Sequence, residues 1–159
     1  MYRNIVFAYD GSDECRDALA DATGLAVVCG ARCHLLAVTQ PLTPLALAVG
    51  PGLSEEMMEE ERSRLQSVLD EGIARLRQAG LAVDGTLRFA DSPAHAIGTF
   101  AAEVSADLVV VGHVRRSLVE RWWHGSVGHS LLDYVPCSLL VSMPRATVDA
   151  TTREGGPAR

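Results

Sequence analysis

Residues 106–132 read ADLVVVGHVRRSLVERWWHGSVGHSLL, and this stretch decides the fold. It begins with an apolar run, LVVV, that is rich in β-branched residues and ends at Gly112. A basic loop with two tryptophans follows, and Gly125-Ser126 then begins a sequence typical of a helix. The unpaired N–H groups of a helix start attract anions, and a glycine there lets a phosphate approach the backbone. The stretch therefore predicts a strand, a loop and a helix that form the floor and wall of a nucleotide pocket.

The strand pattern recurs along the chain. Residues 4–9 (NIVFAY) are a nearly continuous apolar run, as in strands buried on both faces of a parallel sheet, and residues 34–38 (HLLAV) form a shorter one. Residues 82–89 alternate apolar and polar side chains, which indicates an edge strand. Residues 138–142 (SLLVS) are expected to form a last strand at a sheet edge, and bare edges are commonly protected by pairing.

Between these strands, apolar residues recur at helical spacing, which predicts a helix in each interval. Serines are suited to cap the helix starts, and glycines or a proline follow the helix ends: Ser12, Ser54 and Ser92 at the starts, Gly30, Gly80 and Pro136 at the ends. Pro93 follows its serine at the first helical position, where proline is favoured. The acidic run at residues 59–61 is expected to be a solvated helix face.

The order of elements is β-α-β-α-β-α-β-α-β. Such alternation predicts an α/β fold, a three-layer sandwich around a five-stranded, mostly parallel sheet with right-handed crossovers. One domain is expected over residues 1–143, and the polar residues 144–159 predict a disordered tail. Residues 40–53 contain three prolines and two glycines and predict a long apolar loop. This loop has two possible roles: it could close over a site, or it could pack on the core.

Ligands of open α/β sheets bind beyond the C-terminal ends of the strands, where the winding direction reverses. Three loops are expected to meet there: Asp10-Gly11-Ser12, residues 38–41 and the loop that begins at Gly112. An acid at a strand end can accept hydrogen bonds from ribose hydroxyls, although Asp-Gly is also a common turn pair. Ser126 at a helix start can donate to a phosphate, with a plain N-cap role as the alternative.

The composition is that of a soluble globular chain of 159 residues, 48% hydrophobic and 21% charged. The net charge of −6 argues against nonspecific binding to nucleic acid or to an anionic membrane. Apolar runs fall short of the roughly 20 residues of a membrane span, and the N-terminus lacks the pattern of a signal peptide. We therefore expect a cytoplasmic protein. Its four cysteines lack CxxC pairs, and we expect them to behave as small hydrophobes.

Catalytic and metal motifs are weak. Residues 128–132 (GHSLL) begin like a nucleophile elbow, but a leucine stands in place of the closing glycine. The histidines of residues 113–129 lack the spacing of converging metal ligands, and the sequence contains neither a Walker A motif nor GxGxxG. Efficient catalysis and a metal site are not expected. Trp122 and Trp123 could stack a base, but we favour core or interface packing.

These segments, in this order, resemble the universal stress protein (UspA-like) family. The resemblance covers residues 4–143 and is carried by IVFAYDGS, HLLAV, SPAHAI and GSVGHSLLDYVPCSLLV. It implies a Rossmann-like fold of the adenine-nucleotide α-hydrolase type. It also implies a homodimer formed through Ser138–Ser142, since family members often pair through this strand.

ATP-binding members of that family carry the motif Gly-x2-Gly-x9-Gly-(Ser/Thr). Gly112, Gly125 and Ser126 fit its spacing, but Arg115 stands at the second glycine. An arginine does not let phosphates lie against the backbone as glycine does. It could swing outward, fill the pocket, or contact a phosphate through its guanidinium.

The resemblance implies a role for each candidate ligand-binding residue. Asp10, with Gly11 and Ser12 beside it, would contact the adenine or ribose side, and Val38 would line the adenine pocket. The ribose and phosphates would be held by the residues of the glycine motif and their neighbour: Gly112, Arg115, Gly125, Ser126 and Val127. The implied ligand is ATP or AMP, with Mg²⁺ accompanying ATP.

Three functions are open at this point. The first is a cytoplasmic, dimeric sensor or regulator that binds ATP or AMP with little or no hydrolysis and acts on an unidentified client protein. The second is a dimeric interaction module that binds no nucleotide, with Arg115 filling the pocket. The third is a cyclic AMP binder that uses the same pocket for a single phosphate.

Overall fold

Five parallel strands form the centre of the part of the chain that the structure, a computed structural model, describes. That part comprises residues 1–39, 51–112 and 131–143, with the backbone alone for residues 51–54. The strands are β1 (Asn4–Ala8), β2 (Arg32–Thr39), β3 (Val83–Phe89), β4 (Leu108–Gly112) and β5 (Ser138–Ser142). The helices are α1 (Asp13–Cys29), α2 (Pro51–Gln78), α3 (Pro93–Glu103) and α4 (Leu131–Tyr134).

The sheet has the strand order β3-β2-β1-β4-β5, and every neighbouring pair is parallel. The predicted α/β fold is therefore confirmed, with a fully parallel sheet in the described residues. The chain first adds β2 and β3 on one side of β1 and then β4 and β5 on the other. The winding direction thus reverses between β1 and β4, which puts the C-terminal ends of these strands at the position where such sheets bind ligands.

The core explains why β1 and β4 are continuous apolar runs. Ile5 and Phe7 of β1 are buried against α1 and α2 on one face, while Val6 is buried against α3 on the other. Successive residues of a strand point to opposite faces, so a strand between two helix layers must be apolar at every position. The three predicted layers are therefore α1 with α2, the sheet, and α3 with α4.

Two of the predicted N-caps are confirmed. The Ser12 hydroxyl accepts a hydrogen bond from the N–H of Cys15, and the Ser92 hydroxyl accepts one from His95, both at 3.3 Å. Gly30 ends α1 in the left-handed conformation, with φ of 62°. These local contacts fix where α1 and α3 begin relative to the ends of β1 and β3.

The predicted cap Ser54 is wrong, because α2 begins at Pro51 and Ser54 lies within the helix. Proline is well tolerated in the first turn, where its missing N–H would have no helical partner. The last three residues of the predicted loop 40–53 therefore belong to the helix. The second strand is also longer than predicted, because Arg32 pairs with the start of β1 and Thr39 pairs with the end of β3.

Both predicted edge strands lie at edges of the sheet, β3 at one and β5 at the other. Residues 40–50, 113–130 and 144–159, which include the predicted tail and most of the predicted loop, lie outside the described residues. Within the described ranges, no helix has the length and apolar character needed to cross a bilayer.

Candidate functional site

A cavity of about 520 Å³ lies at the C-terminal ends of β1 and β2. Its wall combines the turn after β1, the end of β2, one face of α2 and the start of α3: Asp10, Gly11, Ser12, Val38, Thr39, Glu61, Arg64, Leu65 and Pro93. Its volume falls in the range of small-molecule sites, roughly 300–1,000 Å³. The structure thus brings four of the candidate residues, those of the Asp-Gly-Ser turn and Val38, to one cavity.

A second hollow of about 410 Å³ lies at the opposite end of the strands, near the N-terminal ends of β2 and β3 and the C-terminal ends of α1 and α2. Its lining includes Gly30, Gly80 and the Arg32–Asp84 ion pair, and none of the candidate residues. We favour the first cavity as the ligand site because parallel sheets bind ligands at the C-terminal ends of their strands.

Asp10 organises the turn that follows β1. Its Oδ1 accepts a hydrogen bond from the N–H of Ser12 at 2.9 Å, and Ser12 in turn caps α1. The turn role that the sequence left open for Asp10 is therefore present. One carboxylate carries about four acceptor positions, so this single bond leaves Asp10 able to accept from a ligand.

Gly11 allows the turn to pass close to α2. Its φ of 77° lies in the left-handed region, and a Cβ atom at this position would come within 2.8 Å of Val68 Cγ1. Both the backbone conformation and the available space therefore require glycine here. The turn and α2 form adjoining parts of the cavity wall as a result.

Gly112 has a packing role that the motif did not predict. A Cβ atom there would lie 2.7 Å from the carbonyl oxygen of Glu14 and 3.0 Å from the amide nitrogen of Cys15. The end of β4 therefore touches the first turn of α1 through a position that has no room for a side chain. Gly112 is not among the described residues that line the cavity.

The rest of the candidate set lies in residues 113–130, outside the described residues: Arg115, Gly125, Ser126 and Val127. The same holds for both tryptophans and for the histidines of that stretch. The phosphate side of the predicted pocket therefore stays a prediction.

Glu61 and Arg64 on α2 were missed as cavity residues. Arg64 donates two hydrogen bonds to Glu61, Nε to Oε2 and Nη2 to Oε1, each at 2.8 Å. These bonds lower the pKa of Glu61 and raise the pKa of Arg64, and the negative charge of Asp10 raises the pKa of Arg64 further. The expectation that residues 59–61 form only a solvated face is thus wrong for Glu61. The Glu-x-x-Arg spacing gave a hint of the ion pair, but not of the cavity that it lines.

Cys15 lies directly beneath this turn and is protonated at neutral pH. Burial, followed by the charge of Asp10, raises the pKa of its thiol to about 11. All four cysteines are free; Cys33 is also buried, whereas Cys29 and Cys137 are half-buried. A thiol with a raised pKa is a poor nucleophile, so Cys15 serves packing. Nor do three His, Cys, Asp or Glu side chains converge as metal ligands within the described ranges.

Cys15 should therefore react slowly with iodoacetamide at about pH 8, on the order of tenfold or more slowly than half-buried Cys29, because its thiolate is scarce and buried. Peptide mass spectrometry of timed samples measures both rates in one reaction. Unfolding in urea should make the two rates similar. Equal rates in the folded protein would contradict this description of Cys15.

The family model described as "Universal stress protein family" matches residues 1–142. A curated relative from Thermus aquaticus, the universal stress protein in the QAH/OAS sulfhydrylase 3' region, is 30% identical over 141 residues. That alignment covers 89% of this chain and 98% of the relative.

Solved structures of similar proteins share the fold. A universal stress protein family member from Burkholderia pseudomallei is 27% identical, with a TM-score of 0.69 over 89% of this chain and 96% of that one. A universal stress protein in complex with cAMP is 23% identical, with a TM-score of 0.65 over 89% and 97%. A family protein from Arabidopsis thaliana with AMP bound is 15% identical, with a TM-score of 0.64 over 91% and 93%. At these identities, the last two show a common fold alone.

Proposed function

Because the chain belongs to the universal stress protein family, we propose that it binds an adenine nucleotide, ATP or AMP, at the C-terminal edge of its sheet. The main support for this proposal is the cavity of about 520 Å³. It is lined by Asp10, Gly11, Ser12 and Val38, four residues that the sequence analysis identified as candidate ligand-binding residues. The cAMP and AMP complexes of proteins with the same fold support it.

The charges of the cavity favour one orientation of the ligand. The described wall carries two carboxylates, Asp10 and Glu61, against the single guanidinium of Arg64. A neutral base and ribose suit this wall better than a phosphate does, since like charges repel. The phosphates would therefore extend towards Gly112 and the residues after it. There the motif residues, including Gly125, Ser126 and Val127, would hold them by backbone N–H groups.

We infer a sensing or regulatory role with little or no hydrolysis. The carboxylates of the described wall, Asp10 and Glu61, would face the base and ribose rather than the phosphates, so neither is placed to activate a water for hydrolysis. If ATP is the ligand, Mg²⁺ would come with it and be held mainly by phosphate oxygens and water. Bound nucleotide would then alter affinity for a client protein in the cytoplasm. The acidic net charge is consistent with a partner other than nucleic acid or membrane.

We also propose that the protein is a homodimer formed through β5. This strand lies at an edge of the sheet, and Leu140 and Met143 are exposed there, with Leu132 of α4 exposed as well. An edge strand with exposed apolar side chains is stabilised by pairing with a second strand. A twofold pairing of β5 with its own copy would cover both strands at once.

Asp10→Asn is the variant that tests the nucleotide site. The amide oxygen can still accept the N–H of Ser12, so the turn is kept, while the negative charge that would accept ribose hydroxyls is removed. Calorimetric titration should show micromolar binding by the wild type and a loss of about tenfold or more in the variant. Asp17→Asn removes an equal charge from the exposed part of α1 and should bind like the wild type.

Mass spectrometry of the purified protein should precede the titration, because bound nucleotide would mask it. An absence of carried nucleotide, together with no heat from ATP, AMP or cyclic AMP, would overturn the proposal and favour the interaction module in which Arg115 fills the pocket. Tight binding of cyclic AMP alone would show that the ligand is the cyclic nucleotide and not ATP or AMP.

A further inference from the structure

We propose that Arg64 selects for ribonucleotides, by donating hydrogen bonds to the ribose hydroxyls that Asp10 accepts from. The inference rests on the proposed function and concerns the sugar side of the same cavity. It adds to the site a residue on α2 that the glycine motif does not contain.

The placement of Arg64 is fixed by its neighbours. Leu65, the next residue, is buried and also lines the cavity, so this part of α2 is anchored against the core. Glu61, one turn earlier, holds the guanidinium by two hydrogen bonds of 2.8 Å. Such a fork-to-fork pair sets the orientation of the guanidinium plane as well as its position.

Arg64 keeps donors beyond that pair. A guanidinium carries five N–H groups, and the two bonds to Glu61 use one on Nε and one on Nη2. Asp10 lines the same cavity, and its charge contributes to the raised pKa of Arg64. The cavity wall therefore presents both an acceptor, Asp10, and a donor, Arg64, to a ligand inside it.

A hydroxyl group matches this pair better than a phosphate does. A hydroxyl donates one hydrogen bond and accepts others, so it can donate to Asp10 while accepting from Arg64. A phosphate only accepts, and Glu61 already neutralises the charge of Arg64.

Another arginine of the same helix provides a matched control. Arg75 also pairs with a carboxylate, that of Glu71, at an Nη2–Oε1 distance of 2.8 Å, although both of its bonds go to one oxygen and Arg16 shares the same carboxylate. Its side chain is similarly exposed (51%, against 58% for Arg64). Arg75 is not among the described residues that line the cavity. An effect of losing Arg64 that is not seen on losing Arg75 is therefore not a general effect of removing a paired arginine from this helix.

The test is calorimetric titration of the full chain with AMP, 2′-deoxy-AMP and 3′-deoxy-AMP. Arg64→Ala should weaken AMP binding by about fivefold to tenfold, as expected for a partly exposed hydrogen bond from a charged group. It should leave the affinity for at least one deoxynucleotide within about twofold, because that ligand lacks the hydroxyl that Arg64 contacts. Arg75→Ala should change none of the three affinities, and thermal unfolding should show that both variants are folded.

Each outcome separates the inference from the proposed function. If the wild type binds none of the three nucleotides and gives no heat with ATP or cyclic AMP, the proposed function fails and the inference fails with it. If the wild type binds and Arg64→Ala weakens all three equally, the arginine acts on the base, the phosphate or the fold, and the inference alone is overturned. Unchanged affinities in Arg64→Ala would also overturn it. Arg64→Lys keeps the charge without the fork and should lose most of the preference for AMP; full retention would contradict hydroxyl recognition by the guanidinium.

Discussion

Gly112→Ala is expected to lower the free energy of unfolding by about 1–3 kcal/mol, although it adds only one methyl group. The added Cβ would lie 2.7 Å from the carbonyl oxygen of Glu14 and 3.0 Å from the amide nitrogen of Cys15. Both contacts are with backbone atoms in the first turn of α1, which cannot move aside as the tip of a side chain can. Because Gly112 is not among the glycines with positive φ, steric overlap is the whole reason for the expected loss.

Gly24→Ala provides the matched control, since Gly24 lies inside α1 and its added Cβ would meet nothing within 4 Å. This variant should be more stable than the wild type by roughly 0.5–1 kcal/mol, because alanine loses less conformational freedom in a helix. Urea unfolding of nucleotide-free protein measures both changes. A Gly112→Ala protein as stable as the wild type would contradict the close packing of β4 on α1 and leave phosphate contact as the reason for this glycine.

Leu140→Glu is expected to convert the proposed homodimer into a monomer. Leu140 is 37% exposed on β5, the strand through which we propose that two copies pair. Leu140 is the middle residue of β5, so in a twofold pairing centred on this strand the two substituted residues would lie near one another, and two carboxylates would be brought together and removed from water. Size-exclusion chromatography with light scattering measures the mass of both proteins directly.

Leu25→Glu controls for the general effect of a new surface charge, because Leu25 is 36% exposed but lies on α1. It should remain dimeric at concentrations where Leu140→Glu is monomeric. A wild type that is itself monomeric would refute the proposed dimer, and a Leu140→Glu protein that stays dimeric would refute the β5 interface.

Local sequence patterns predicted most of the fold. The continuous apolar runs of β1 and β4 identified strands covered on both faces, and Ser12 and Ser92 marked the starts of α1 and α3. Ser54 misled, because a serine is a good cap only where the chain enters the helix at that residue. Pro51, three residues earlier, is equally compatible with a helix start. The residue types alone do not decide which of the two positions begins the helix.

The candidate site was predictable only where it follows strand ends. Asp10 and Val38 could be identified because the C-terminal ends of parallel strands meet at one edge. Arg64 could not, since which face of α2 turns towards that edge depends on how the whole helix packs. The packing role of Gly112 also escaped sequence reasoning, because the motif accounts for a glycine by its ligand and says nothing of the helix on the other side.

The central position of β1 has a consequence for biosynthesis. One side of β1 pairs with β2 soon after both have been made, but the other pairs with β4, and the carboxylate of Asp107 binds the N–H of Arg3 across a separation of 104 residues. The chain up to Phe89 can therefore assemble β1, β2 and β3 on the ribosome while one edge of β1 stays unpaired. Contacts so distant in sequence form slowly, and exposed strand edges invite aggregation. The nascent chain thus depends on its last third to complete its first strand.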